Sequence, residues 1–441
     1  MLILNKNLFK PLLICMLIVY LIFVTGCKKD NNGMAYYEDF FEMNFTDNDD
    51  GRSWAILHTL DGKSIIDAKR ITGNTSVDFG KINNGRVTVT YINVYGDNYG
   101  SFILIQSLYN VPAGEWNIKG SNLNLESLGK LDLTIKFPEN EYDEYMICLP
   151  NLCASGNFSE SNSEKHFYTS VYWLDDNQKL TCFASVYKEN SDKAFCNWLT
   201  NETFTEGDTN YYSLELNKQM QTKSVISSRS LNNIDLDAYV GSKSFMQYNS
   251  YYYDEEQTDH FLCYSFGSPV EKLQLRGGCY NNNEYYSMTY IDNDIPSIFN
   301  ISEASVDADY NNEEKKFENI SVTGTADEIF STWHYYSSSQ IAHWFISANA
   351  DADSITMPTL PDSILSDIGL DISVLNSPTI GITNYDSAKN LDDLIKMFFK
   401  TDANLYDLYK TLYYYEKSID QTKKMGNIDE YRPYELRYKN Y

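Results

Sequence analysis

The sequence predicts a mainly β chain: two β-sandwich-rich domains behind an N-terminal leader, with a short helix near the C-terminus. Three observations carry this. Polar and apolar residues alternate with period two in many short runs, and turn residues separate those runs at short intervals. Strand-favouring aromatics are also abundant, with 37 Tyr and 22 Phe in 441 residues. A chain of that length holds two or three domains of ordinary size and a sizeable core.

Composition excludes several classes. A disordered chain would be poor in aromatics. A mean hydropathy of −0.43 does not suit a polytopic membrane protein. The formal charge of −26 repels phosphate backbones, so nucleic acid is not expected as a partner.

The leader comes first. Lys6 and Lys10 precede an apolar run from Leu12 to Val24. At roughly 13 residues this run is too short to span a bilayer, for which about 20 are needed, and it suits the hydrophobic region of a signal peptide. It ends in Val24-Thr25-Gly26-Cys27. The segment resembles the lipobox of bacterial lipoproteins. That resemblance implies removal of residues 1–26 and acylation of Cys27, with a membrane as partner through the lipid anchor. Each buried methylene contributes about 0.8 kcal/mol, so several acyl chains anchor stably. Lys28, where a retention signal would place Asp, favours the outer membrane, on its periplasmic or its external leaflet. Residues 27–50, with Asp47, Asp49 and Asp50 at the end, read as a lipidated flexible tether.

The first β-sandwich region is expected over 51–218. Lys130–Phe137 alternates through eight residues, giving a strand with one buried face. Arg86–Tyr91, Phe102–Ile105 and Phe167–Trp173 read as strands by β-branched and aromatic content. Asp61-Gly62, Asn84-Gly85, Pro112-Ala-Gly114 and Gly207-Asp208 supply turns. A hairpin about Asp61-Gly62 in Trp54–Ile66 is followed by Val77-Asp-Phe-Gly and Gly85–Thr90. Residues 54–95 thereby resemble carboxypeptidase-regulatory-like, transthyretin-type sandwiches, which implies a module without catalytic residues. The polar stretch 219–233 is expected as a linker, and 234–441 as a second β-rich domain. Within the latter, Leu391, Leu394, Ile395, Phe398 and Phe399 follow helical spacing after Asp386 and Ser387 as candidate caps.

Six cysteines follow Cys27 and suit an oxidising compartment. They fall into local pairs: Cys148 with Cys153 across a Pro150-Asn151 turn, Cys182 with Cys196 on neighbouring strands, and Cys263 with Cys279. Other pairings remain open. No C-x-x-C exists to support zinc or thioredoxin-like chemistry.

The segment Thr332–Phe345 draws most attention. Folded about Ser338-Ser339 as a two-residue hairpin, it sets Trp333 opposite Trp344 and His334 opposite His343. The Trp pair would fill a core or form a platform for a sugar ring; the His pair would hydrogen-bond or share a metal. Asp307–Glu318 matches calcium-loop spacing at positions 1, 3, 5 and 12 but lacks the glycine at position 6, so a polar hairpin turn fits better. Asp47–Gly51 and Asp292–Asp294 are further acidic segments, read as polar turns with adventitious calcium as the alternative. Otherwise no cofactor is expected. Tyrosine clusters at 251–253, 285–286 and 413–415 suit either stable strands or a binding face.

Nucleophile-elbow, zinc-protease, P-loop and dinucleotide motifs are all absent. The expectation is therefore a cell-envelope lipoprotein acting as a non-catalytic binding or structural component, with glycan or protein as ligand. The alternatives are an adhesive, fimbrial-like subunit and a hydrolase of extracellular polymer, in which a carboxylate pair would act.

Overall fold

The computed structural model describes residues 40–46, 52–82, 85–97, 100–119, 127–137, 142, 144–150, 152–157, 164–172, 174–175, 177–187, 194–241, 243–251, 258–265, 269–337, 339–398 and 410–419. The chain divides into two compact units. Unit 1 draws on Met1–Leu123, Tyr280–Tyr286 and Ser302–Glu435; unit 2 draws on Asn124–Cys279, Ser287–Ile301 and Leu436–Tyr441. The chain is mainly β, as expected. Cys27 and residues 1–26 lie outside the described residues.

Unit 1 opens with β1 (Phe40–Thr46), β2 (Arg52–His58), β3 (Ile65–Ile71), β4 (Thr75–Lys81), β5 (Arg86–Asp97), β6 (Gly100–Pro112) and β7 (Gly114–Lys119). Unit 2 contributes β8 (Gly129–Lys136), β9 (Glu144–Leu149), β10 (Leu152–Asn157), β11 (Glu164–Val171), β12 (Leu180–Tyr187), β13 (Ala194–Glu202), β14 (Thr209–Glu215), β15 (Lys218–Gln219), β16 (Gln221–Leu231), β17 (Asn233–Val240), β18 (Lys243–Tyr251), β19 (Thr258–Ser265), β20 (Lys272–Asn281), most of β21 (Glu284–Asp292) and β22 (Ile298–Phe299). The chain then returns to unit 1 with β23 (Ser305–Asn311), β24 (Lys316–Thr323), β25 (Glu328–Tyr336), β26 (Gln340–Asn349), β27 (Ser354–Thr356), α1 (Asp362–Ile368), β28 (Asn376–Tyr385), α2 (Leu391–Phe398) and β29 (Thr411–Ser418).

In unit 1 eight strands run in the order β29-β28-β25-β26-β6-β5-β2-β3. Each pair is antiparallel except β26 with β6, which is parallel. Alternation gives this sheet two faces. Ala55, Leu57, Val87, Val89 and Val111 pack against Phe41, Met43, Phe45, Val77 and Trp116 of the β4-β1-β7 sheet. The opposite face carries Trp333, whose ring lies 5.6 Å from that of Phe317 on β24. The β23-β24-β27 sheet thus supplies a third layer.

In unit 2 the alternation read over Lys130–Phe137 is realised in β8. Leu131, Leu133 and Ile135 of the β11-β8-β14 sheet are buried against Ile147, Leu149, Cys182, Ala184 and Val186 of the β10-β9-β12-β13-β15 sheet. The far face of the latter carries Trp198, packed edge-on at 5.1 Å against Phe245 of β18.

Four expectations are corrected. Residues 27–50 are not tether throughout: Phe41, Met43 and Phe45 alternate with Glu42 and Asn44, and this period-two pattern puts β1 into the core. Residues 219–233 are not a linker. Most of them form β16, which pairs with β19 and β22 inside unit 2 and buries Val225 and Leu231. Consequently the boundary between 51–218 and 234–441 gives way to an inserted arrangement, in which unit 2 interrupts unit 1. The C-terminal helix forms over Leu391–Phe398, but its cap is Asn390, whose side-chain oxygen accepts from the Asp393 N–H at 3.0 Å. Phe399 lies outside the described residues.

The cysteine pairs are corrected in part. Cys148 is disulfide-bonded, and the register sets Cys153 directly across from it. Cys182, Cys196, Cys263 and Cys279 are free and buried. Cys182 opposes Leu199 while Cys196 opposes Ser185, so the two thiols lie on opposite faces of one sheet. Cys263 sits on β19, in the β19-β16-β22 sheet, and Cys279 on β20, which pairs with β17. Burial pushes Cys182 and Cys263 up to about 12 and Cys196 and Cys279 to about 11, so all four remain protonated and unreactive at neutral pH. Alkylation followed by mass spectrometry checks this. Under denaturing, non-reducing conditions these four thiols label at once, and Cys148 labels only after reductant; labelling of Cys148 without reductant would contradict the assignment.

Candidate functional site

The hairpin of β25 and β26 forms in the register that its residues predict: Trp333 opposes Trp344, and His334 opposes His343. Ser-Ser is a poor two-residue turn by backbone preference, and the side chain of Ser337 compensates. Its hydroxyl accepts from the N–H groups of Ser339 and Gln340 at 3.3 and 2.9 Å, while the Ser337 N–H donates to the Gln340 carbonyl at 2.8 Å. Ser338 itself lies outside the described residues.

One face of the hairpin holds the tryptophans, both 0% exposed. The Trp333 indole N–H donates to the Tyr310 hydroxyl at 3.3 Å and that of Trp344 to Ser107 Oγ at 3.0 Å. Ser107 bonds Thr90 at 2.8 Å, and Thr90 bonds His58 Nε2 at 2.9 Å. Buried and with their N–H groups satisfied, Trp333 and Trp344 are core residues; of the two alternatives read from the sequence, core and sugar platform, the platform at these positions is corrected.

The other face holds a buried polar chain. His334 and His343 meet Nδ1 to Nδ1 at 2.6 Å. That is a hydrogen bond between the rings, one nitrogen donating and the other accepting. Two nitrogens about 2.0–2.1 Å from a shared tetrahedral zinc would stand farther apart. Beyond it, His334 Nε2 lies 3.0 Å from Thr332 Oγ1, and Thr332 Oγ1 lies 2.6 Å from Thr379 Oγ1. Thr379 donates to Glu416 Oε1, and the Tyr414 hydroxyl donates to Glu416 Oε2 at 2.9 Å. Because Thr379 donates, the polarity of the whole chain follows: Thr332 donates to Thr379, His334 Nε2–H to Thr332, and His343 Nδ1–H to His334. Nearby on the same face, Thr383 donates to Glu328 Oε2 at 2.8 Å. The strand Thr411–Ser418 signalled Glu416 only faintly, as a carboxylate alternating with Tyr414 on a face that reads as aromatic.

Burial governs the protonation of these groups. It lowers His343 well below its ordinary value, helped by the neighbouring His334 ring, and lowers His58 to about 4. It raises Glu328 and Glu416, although hydrogen bonds from Ser347, Thr383, Thr379 and Tyr414 oppose this.

The acidic segments are engaged by their own neighbours. Asp307–Glu318 forms the β23–β24 hairpin, with Asp309 opposite Glu318 and Asp307 bonded to Lys417. Asp292 accepts from the Tyr290 hydroxyl at 2.9 Å, and Asp294 pairs with Lys223 at 2.7 Å. Asp47–Gly51 lies outside the described residues. Among the described residues no group of three or more His, Cys, Asp or Glu is placed to hold a metal ion. Tyr285, Tyr286, Tyr413 and Tyr415 are buried; Tyr252 and Tyr253 lie outside the described residues. Among the described residues, aromatics open to solvent are Tyr336 at the end of β25, whose ring lies 6.1 Å from that of His334, and Tyr168 and Tyr211 of unit 2. Sequence reasoning does not single out Tyr168 and Tyr211, although both occupy the exposed positions of alternating strands.

No protein-family model matches the sequence, and no curated protein matches it. Among solved structures, a tetra-tandem repeat from the extending region of a large adhesion protein shares 10% identity and covers 80% of this chain and 96% of its own. Its TM-score is 0.12, too low to carry an argument about this chain.

The protonation states predict opposite pH slopes. His58 has a depressed value, so its contribution is present above pH 6.5 and is lost as pH falls towards 4, on the order of 3 kcal/mol in all. His343 acts in the same sense. Glu416 has a raised value, so its contribution is present below about pH 4.3 and is lost as pH rises through its folded value. Urea unfolding across pH 4–8 checks both signs. Relative to wild type, His58→Gln gains stability as pH falls and Glu416→Gln gains as pH rises; curves parallel to wild type would contradict the burial of these groups.

Proposed function

We propose that this chain is an acylated cell-envelope protein whose β-sandwiches act as a non-catalytic binding or structural component. The observation that carries the reading is the ordered series at the N-terminus: Lys6 and Lys10, the apolar run Leu12–Val24, then Val24-Thr25-Gly26-Cys27. In this reading Cys27 holds the acyl chains on the outer membrane. The geometry of unit 1 supports a structural use of its titratable groups. His334 and His343 are hydrogen-bonded to each other, and Thr332 and Thr379 link His334 to Glu416 inside a packed sheet, an arrangement that fixes strand register. A glycan or a protein is the ligand class that suits exposed aromatic residues on such sandwiches.

Metabolic labelling tests the anchor. An alkyne-tagged palmitate label appears in the wild-type chain expressed in a Gram-negative host and is lost in Cys27→Ser, which also stays in the uncleaved precursor form. A wild-type chain recovered with an unacylated N-terminus would overturn the reading.

A further inference from the structure

We infer that the outer face of the β11-β8-β14 sheet in unit 2 is a binding platform for a neutral glycan, with Tyr168 and Tyr211 as the stacking rings and Asp132 between them. The inference rests on the reading of this chain as a binding component and names the site and ligand class.

The placement follows from register. Tyr168 of β11 and Tyr211 of β14 are each the direct partner of Asp132 on β8, so the three side chains form one row across the sheet on its outer face. The tyrosines are 61% and 73% exposed, whereas the alternate residues Leu131, Leu133 and Leu214 fill the core beneath. Two strand spacings separate the tyrosine backbones by about 10 Å, close to the length of two sugars in an extended chain. Among the described residues, Asp132, Tyr168 and Tyr211 spend no side-chain hydrogen bond on the protein.

The surroundings are ordered. Lys130 Nζ donates to Ser170 Oγ at 2.9 Å and stands 5.9 Å from the centre of the Tyr168 ring, holding that ring from one side. On the next row, His166 bonds Thr134 at 3.2 Å and Glu164 at 3.0 Å. The row therefore offers two flat apolar faces, a carboxylate to accept from sugar hydroxyls, and Lys130 to donate to them. Each pyranose has an apolar face and a polar rim, and this pattern matches both.

Charge and area select among ligands. Lys130 and Lys136 share the face with Asp132, Glu164 and Glu215, so neither sign dominates, and the chain's net charge of −26 repels polyanions. Two rings amid hydroxyl and charged groups give little apolar area to desolvate, whereas a stable protein interface buries about 800 Å² on each partner.

Affinity electrophoresis of the detergent-solubilised full chain, through gels containing hydroxyethylcellulose, galactomannan or arabinoxylan, tests this. At least one polysaccharide retards the wild type. Tyr168→Ala and Tyr211→Ala each weaken the retardation about five- to tenfold, and Asp132→Asn weakens it too, with melting temperatures unchanged. Absence of retardation by all three, or variants that migrate like wild type, would overturn the platform. Tyrosine-dependent capture of a protein in place of polysaccharide would overturn it as well. The outcome is separable from the anchor: an acylated chain that binds no polysaccharide removes the platform alone, and an unacylated chain removes the anchored reading alone.

Discussion

Cross-strand register between β25 and β26 is the constraint on which unit 1 depends. Side chains alternate with a period of two, so a slip of one residue would exchange the two faces of the hairpin. In the observed register Trp333 packs against Phe317 of β24, Trp344 is buried on the same face with its N–H on Ser107, and His334 and His343 enter the polar chain ending at Glu416. The slipped register would bury imidazoles among Phe317 and its neighbours and turn two indoles onto hydrogen-bonding groups. Both faces therefore penalise the same error.

The neighbours reinforce this choice. Thr332 and Thr379 oppose each other on β25 and β28, and their hydroxyls pass the hydrogen bond on towards β29. On the tryptophan face, Ser107, Thr90 and His58 extend the bonding across β6, β5 and β2. Polar networks of this kind rigidify a sheet when satisfied and are costly when a single member is removed. Gly381 shows how closely the strands and rings pack: a Cβ there would fall 2.2 Å from the Phe330 ring and 2.3 Å from the Tyr415 carbonyl.

Much of this was legible in the sequence, for local reasons. Period-two alternation marks β8, and the Trp-His/His-Trp symmetry about Ser338-Ser339 points to the hairpin register, although Ser-Ser as a turn specifies it only weakly. What escaped reading depends on partners distant in the chain. Phe41-Glu-Met-Asn-Phe45 alternates as clearly as β8 but follows a polar leader tail and reads as tether; its partner strands, β4 and β7, lie about 35 and 70 residues on. Cys182 and Cys196 read as a pair because they lie on neighbouring strands, but the register sets them on opposite faces. Residues 219–233 lack a strong apolar stripe because β16 exposes one side, and that polarity reads as linker. The exposure of Tyr168 and Tyr211 and the burial of Trp333 and Trp344 required knowing which face each sheet turns inward, which alternation alone leaves undecided.

The most direct test of the register is the tautomeric state of two histidines. With ¹⁵N-labelled histidine and long-range proton–nitrogen correlation at neutral pH, His343 is expected as the Nδ1–H tautomer and His334 as the Nε2–H tautomer, with resonances assigned by single His→Gln variants. Both rings found as Nε2–H tautomers would leave no proton to share between the Nδ1 atoms, and the hairpin register with everything argued from it would fail.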